Sequence, residues 1–192
     1  MKTAVRSKHH ILRQMVFNAI FAALICVLAP MSVPIGTVPI SLGLFAVLLA
    51  GVVLDPRDSV QSVALYLVLG AVGVPVFSGW HGGFQVLVGP TGGYLWSYIM
   101  VAPLVGLLRM AFPKASQHKV WGYVWEIAAC IIGVAVCYIG GTIQFCAVMG
   151  MAVVPALSAC VFPFIPFDLF KCVAAVAIGR SVRLMKDHFA SR

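Results

Sequence analysis

Residues 73–95, GVPVFSGWHGGFQVLVGPTGGYL, hold seven glycines and two prolines in a chain that is otherwise mostly apolar. Relative to alanine, a glycine inside a helix costs about 1 kcal/mol and a proline about 3 kcal/mol, so the segment is predicted not to form a stable helix. Non-helical backbone at membrane depth must be buried against protein or line a wet cavity, because lipid satisfies none of its hydrogen-bonding groups. In a membrane protein, this segment is therefore predicted to cover another part of the molecule.

Composition places the chain in a membrane. Of its 192 residues, 62% are apolar and only 9% are charged, with a mean hydropathy of +1.05, whereas an ordinary soluble domain is about 25% charged. Since a helical span takes roughly 20 residues, the length allows about six spans in a single domain, residues 1–192. The candidate spans are residues 12–29, 40–54, 59–73, 93–111, 121–148 and 166–182.

The basic residues predict the orientation. With the N-terminus inside, all of the 13 lysines and arginines except Lys171 fall in cytoplasmic segments, as the positive-inside rule requires. We expect a multi-pass protein with both termini in the cytoplasm. The net charge of +8 follows from this orientation, favours contact with anionic lipid and predicts no nucleic-acid partner. A cleaved signal peptide at residues 1–29 is the alternative, but its removal would leave five spans and spoil the charge distribution.

Residue patterns for enzymatic chemistry are absent from the sequence. The six cysteines lie in apolar segments without a C-x-x-C motif or a histidine at ligand spacing, so we interpret them as small buried apolar residues and expect no metal and no cofactor. The GPTGG segment lacks the lysine and the spacing of a phosphate-binding loop, so the chain is not expected to hydrolyse ATP. An intramembrane enzyme that uses His81 or Glu126 is a rival class, but no nucleophile and base pair supports it.

Three segments that face away from the cytoplasm are rich in proline and glycine and contain no Lys, Arg, Asp or Glu. They are residues 30–40, 73–95 and 149–166. Loops in water are usually polar, so we expect these segments to fold over one another and over the helix ends. Two interpretations stay open: they wall a ligand pocket, or they pack together without a ligand.

Asp168 and Lys171, in PFDLFK, lie three residues apart at the outer start of the sixth span and therefore share a helix face. In one interpretation Asp168 caps the helix, and Lys171 pairs with it or extends outward. In the other, both point into an outer pocket, where Asp168 accepts hydrogen bonds from ligand N–H groups and Lys171 meets a ligand carboxylate. A charge at the middle of a membrane segment costs at least about 2.5 kcal/mol, which gives weight to the second interpretation.

Other polar residues have less specific interpretations. Glu126, near Trp121 and Trp125, is interpreted as an interfacial acid partly paired with Lys119, with a proton-relay role as the alternative. Gln144 is either an interhelical hydrogen-bonding residue or a pocket group, and we count it among the candidate binding residues. His81 is expected to be a residue of the covering segment with a solvated ring.

The VPI sequence before the second span, the segment 73–95 and PFDLFK together resemble the BioY family, the substrate-binding (S) components of energy-coupling-factor biotin transporters. The resemblance covers nearly the whole chain. It implies an all-α membrane protein of six transmembrane helices, an S-component-like bundle in which extracytoplasmic loops cover a ligand pocket. It also implies biotin as ligand, a prokaryotic plasma membrane, and as partners a transmembrane T component and two ATP-binding-cassette ATPase subunits. An S component for another small vitamin, or a solitary biotin carrier, is the alternative.

The resemblance also implies roles for single residues. Asp168 would contact the ureido ring of biotin and Lys171 its valerate carboxylate. Ala19 and Ala23, four residues apart on the first span, would form the docking site for the T component, although small residues at this spacing by themselves indicate only close helix packing. Contacts from the covering segment would come from Phe77, Ser78, Gly79, Thr91 and Tyr94.

The sequence departs from the family pattern at three positions. Gly43 follows PISL where many relatives have glutamine, and Trp80 and His81 stand where smaller residues are expected. These changes leave the polarity of the pocket open.

Overall fold

The computed structural model describes the backbone of residues 2–35, 38–111 and 119–190, and the side chains of residues 12–33, 39–111 and 120–185. Within these residues it has eight α-helices and one two-stranded hairpin. In chain order they are α1 (Lys2–Leu28), β1 (Ser32–Ile35), β2 (Val38–Ser41), α2 (Gly43–Val53), α3 (Pro56–Val72), α4 (Phe84–Val88), α5 (Gly92–Ala111), α6 (Lys119–Met149), α7 (Val153–Cys160) and α8 (Ile165–Ala190).

The six candidate spans fall on α1, α2, α3, α5, α6 and α8. By length and apolar composition alone, two helices of the described chain, Gly92–Ala111 and Val120–Met149, are able to cross a membrane. Val153–Cys160 and Ile165–Met185 form a third span if this pair, bent by 56°, counts as one. The apolar parts of α1 and α2, Leu12–Leu28 and Gly43–Val53, are shorter.

The outer segments contain more regular structure than we expected. The prediction that residues 73–95 form no helix is wrong for two parts of the segment. Residues 84–88, which contain neither glycine nor proline, form the short helix α4, and α5 begins at Gly92. The first outer segment forms the antiparallel hairpin β1–β2, in which Ser32 faces Ser41. Among the residues that the structure describes, these two strands have no further partner strand, so both are edge strands, where proline is tolerated.

Helix α2 lies at the centre of the bundle, and ten of its eleven residues are buried. It packs on α5 and α8, and glycines allow the close approach. A Cβ atom at Gly51 would lie 2.7 Å from the carbonyl oxygen of Ala102 on α5, and one at Gly179 on α8 would lie 2.6 Å from Val52 Cγ1. A side chain at either position would therefore push the helices apart.

The C-terminal end of α2 is bound by arginines from other helices. Arg183 Nη1 donates to the carbonyl of Val52 at 3.0 Å, and Arg109 Nη2 donates to that of Leu54 at 3.3 Å. Arg183 and Arg180 also pair with Glu126, at 2.7 Å and 3.7 Å. We call these three arginines and Glu126 the arginine cluster. Cations are favourable at this end of a helix, where the peptide dipoles leave partial negative charge.

The arginine cluster changes the interpretation of Glu126. This side chain is 2% exposed and pairs with two arginines of α8, partners that the sequence did not predict. The side chain of Lys119, the partner expected from the sequence, lies outside the described residues.

Candidate functional site

A cavity of about 610 Å³ lies at the end of the bundle that is opposite the arginine cluster. Its volume falls in the range of small-molecule sites, about 300–1,000 Å³. The hairpin, the helices α3, α5, α6 and α8, and residues 73–91, which we call the lid, contribute to its wall. Aromatic side chains make up much of the lining: Tyr66, Phe77, Tyr94, Tyr98, Tyr138 and Phe164.

The charged side chains of the cavity form a connected group. Lys171 Nζ lies 2.8 Å from Asp168 Oδ1 and also donates to the carbonyl of Ser41 at 2.8 Å. Tyr138 donates its hydroxyl to the other carboxylate oxygen of Asp168 at 2.6 Å. Asp168 and Lys171 are both buried, at 4% and 7% exposure. We call these four residues the polar centre.

The location of Asp168 combines features of both interpretations from the sequence. It lies in the first turn of α8, where a carboxylate interacts favourably with the helix dipole, and it pairs with Lys171. It is not the cap residue, because α8 begins at Ile165 and the backbone N–H of Asp168 already bonds to the carbonyl of Phe164. Both Asp168 and Lys171 line the cavity, as the pocket interpretation requires.

The polar centre has hydrogen-bonding capacity left for a ligand. An ammonium group has three donors, and the bonds to Asp168 and Ser41 use two of those of Lys171. Each carboxylate oxygen of Asp168 accepts one hydrogen bond and has room for another. The carboxylate and the ammonium cancel in formal charge, so the centre presents an acceptor and a donor side by side without net charge.

The lid supplies four of the other predicted binding residues. Phe77, Ser78, Gly79 and Thr91 line the cavity, as does Tyr94 just beyond the lid in α5. Backbone bonds hold the first half of the lid: Gly83 N–H donates to the carbonyl of Gly70 at 2.7 Å, and Gly79 N–H to that of Pro30 at 3.1 Å. The structure therefore brings these residues together with Asp168 and Lys171 around one cavity.

Phe77 has a particular location in the lid. Its ring is fully buried and meets Tyr66 of α3 edge to face, with the ring centroids 5.6 Å apart. A Cβ atom at Gly70 would overlap the Phe77 ring, so the glycine makes room for it.

The two bulky departures from the family pattern differ in their placement. Trp80 is 66% exposed, is not among the cavity-lining residues and has a positive φ of 62°, which is uncommon outside glycine. His81 is exposed and lines the cavity, with its Nδ1 2.9 Å from the carbonyl oxygen of Ser78. Only His81 therefore adds polarity to the cavity. At the third departure, Gly43, a Cβ atom would lie 3.0 Å from that of Ala29, so the glycine allows a close contact there.

Three of the predicted residues lie away from the cavity. Gln144 of α6 is not a lining residue, because its amide donates to the carbonyls of Leu87 and Gly89 in the lid, at 2.9 Å and 2.8 Å. Of the two interpretations of Gln144, the structure agrees with the hydrogen-bonding one, because its side chain joins α6 to the lid. Ala19 and Ala23 are exposed together on one face of α1.

Sequence reasoning missed Tyr138, Ser41, Tyr66 and Tyr98. A tyrosine within an apolar span is a usable signal, because a buried hydroxyl usually has a hydrogen-bond partner. The backbone carbonyl of Ser41 has no such signal, since every residue has a backbone carbonyl. Among the described residues, no group of three or more His, Cys, Asp or Glu side chains is placed to hold a metal. All six cysteines, each within the described backbone, are free thiols, and Cys137 and Cys160 line the cavity.

Comparison with known proteins gives a consistent result. The model of the BioY family matches residues 1–187. The biotin transporter BioY of Thermotoga maritima is 39% identical over 178 residues, which are 91% of this chain and 97% of the relative. The biotin transporter BioY of Rhizobium etli is 35% identical and covers 88% of this chain and 92% of its own.

Solved structures show the same fold. The crystal structure of the S-component for biotin from an ECF-type ABC transporter matches with a TM-score of 0.83 at 27% identity, over 91% of this chain and 93% of the other. A second S component of a bacterial ECF transporter, at 16% identity and a TM-score of 0.53, covers 94% of this chain and 98% of its own and shares the fold alone.

Proposed function

The chain belongs to the BioY family, and from this we propose that it is the biotin-binding S component of an energy-coupling-factor transporter. The observation that carries the proposal is the cavity, in which the polar centre lies within aromatic walls beneath the lid. Such a component captures its ligand and does no chemistry on it. ATP hydrolysis belongs to partner subunits.

Biotin suits this cavity in shape and polarity. It has a neutral ureido group with two N–H donors and one carbonyl acceptor, an apolar thioether ring, and an apolar chain that ends in a carboxylate. The aromatic wall supplies contact area for the apolar parts, as ligand sites commonly do. A ligand that lacks the ureido group would leave buried groups of the polar centre unpaired, and this gives discrimination.

The geometry of the polar centre bears on which end of biotin it holds. The resemblance assigns Asp168 and Lys171 to opposite ends of the ligand. We propose instead that one group of the ligand contacts both, because their charged atoms are 2.8 Å apart. A ureido group offers a donor beside an acceptor and carries no charge, which matches the pair. A carboxylate there would face the charge of Asp168. We therefore place the ureido ring at the polar centre, with Asp168 accepting from N–H and Lys171 donating to the carbonyl.

The valerate carboxylate then extends toward the lid. Ser78, His81, Gln85 and Thr91 give that part of the lining its polar side chains. Phe77, Gly79 and Tyr94 contribute wall contacts along the apolar chain.

The partners proposed are a transmembrane T component and two ATP-binding-cassette ATPase subunits. The open face of α1 around Ala19 and Ala23 supports a docking role, because small exposed side chains permit close approach of another helix. Both termini are proposed to lie in the cytoplasm of a prokaryote, with the cavity outside. The arginine cluster at the far end of α2 supports this, since positively charged residues gather on the cytoplasmic side.

The proposal is tested by purifying the chain from cells grown with biotin and identifying co-purifying small molecules by mass spectrometry. We expect biotin. A different vitamin would keep the architecture and change the substrate, and an empty protein that also fails to bind added biotin would refute the proposal. Uptake by the chain expressed without T and ATPase subunits would indicate a solitary carrier.

The orientation of biotin is tested separately with Lys171→Met, titrated with biotin and with biotin amide. We expect equal fold losses of affinity for both, because the amide changes only the end that lies away from the polar centre. A clearly larger loss for biotin would place its carboxylate on Lys171.

A further inference from the structure

Helix α4 ends against α6 through side-chain hydrogen bonds. The carboxamide nitrogen of Gln144 donates to the carbonyls of Leu87 and Gly89, and Trp96 Nε1 donates to the same Leu87 carbonyl at 3.1 Å. The last carbonyls of a helix have no partner within it, and in a membrane protein lipid offers none. Gln144 and Trp96 therefore satisfy the Leu87 carbonyl near the end of α4. The Gly89 carbonyl accepts from Gln144 and also from the backbone N–H of Gly92 at 3.1 Å.

Two glycines of the GPTGGYL segment make this contact possible. A Cβ atom at Gly92 would lie 2.6 Å from the amide nitrogen of Gln144 and would overlap the Leu87 carbonyl. One at Gly93 would lie 2.7 Å from Gln144 Cβ. The start of α5 can approach α6 closely only without side chains at these positions. These two glycines thus have a packing role, and neither lines the cavity.

The anchored turn forms part of the cavity wall. Gly89, Pro90 and Thr91, between α4 and α5, line the cavity, whereas Gln144 lies behind them. We propose that Gln144 is a positioning residue whose amide holds this turn as a wall of the cavity and so limits how fast the bound ligand leaves. This rests on the proposed function for the identity of the ligand, biotin.

The test compares Gln144→Glu, which has nearly the same shape but no N–H donors, with Gln144→Leu. Ser158→Ala is the matched control, because it removes a side-chain-to-carbonyl bond of 3.1 Å that stays within α7. In both Gln144 variants we expect faster hydrogen exchange in residues 84–92. Radiolabelled biotin should dissociate about tenfold faster, as expected for the loss of two ordinary hydrogen bonds. Association should change by less than about twofold, and Ser158→Ala should behave as wild type.

A double-mutant cycle separates anchoring from general loss of stability. Since Gln144 and Trp96 bond to the same carbonyl, Gln144→Leu and Trp96→Phe should have non-additive effects on exchange in residues 84–92. Wild-type exchange and dissociation in both Gln144 variants would overturn the proposal. So would additive effects, or an increase of exchange along all of α6. The exchange measurement needs no ligand, so it tests the anchor even if the wild-type chain fails to bind biotin.

Discussion

Replacing Lys171 by methionine is expected to destabilise the protein more than replacing it together with its partner. In the single variant the carboxylate of Asp168 stays buried, at 4% exposure, and keeps Tyr138 as the partner that the structure shows. Breaking a buried ion pair from one side costs about 3–5 kcal/mol, because an uncompensated charge remains. At about 2–4 °C per kcal/mol for a chain of this length, the melting temperature should fall by roughly 6–20 °C.

The double variant Asp168→Asn with Lys171→Met removes both charges and should recover most of this stability, since asparagine still accepts a hydrogen bond from Tyr138. Thermal unfolding in detergent compares the wild type, Lys171→Met, Asp168→Asn and the double variant. Arg57→Met is the control for the loss of an exposed basic residue. Both single variants and the double variant should bind biotin about 10-fold to 100-fold more weakly, the range for lost hydrogen bonds to charged groups. A double variant as unstable as the sum of the two singles would refute a coupled pair.

Two further sets of substitutions test the docking face and the lid. Replacing Ala19 and Ala23 by leucine should change biotin affinity by less than about twofold. The same change should stop ATP-driven uptake in cells that supply the partner subunits, because bulky side chains on this face block close helix contact. Continued uptake would exclude this face of α1 as the docking surface. Gly70→Ala should weaken biotin binding about tenfold by displacing the Phe77 ring, within the usual cost of overpacking. Adding Phe77→Leu should restore part of the affinity in fluorescence titrations, and no recovery would contradict the steric explanation.

The helices could be located from sequence because lipid imposes a simple rule on them. Long apolar runs predict the six principal helices, and most of their observed limits lie within three residues of the predicted ones. The exceptions are that α1 begins ten residues earlier and α8 ends eight residues later than predicted. The hairpin and the short helices α4 and α7 have no comparable signal. They form where the outer segments pack on one another, so tertiary contacts set their conformation rather than local propensity.

Asp168 and Lys171 could be found because ionisable residues in an apolar span are costly and therefore conspicuous. Tyr138 and Gln144 show where this reasoning stops. They lie six residues apart on α6 and so point about 120° apart around the helix. The sequence does not show which direction faces the cavity. In the structure Tyr138 reaches the polar centre, and Gln144 bonds to the lid. The pairing of Glu126 with Arg183, 57 residues away, is equally invisible in spacing.

The shortness of α2 has an electrical consequence. This helix of eleven residues is about 16 Å long, whereas the hydrocarbon layer of a bilayer is about 30 Å thick. Leu44 at its start lines the cavity, and its final carbonyls meet arginines. A charge held in the cavity beside Leu44 is therefore separated from the arginines at the other end of α2 by about 16 Å, roughly half the thickness of the surrounding hydrocarbon layer.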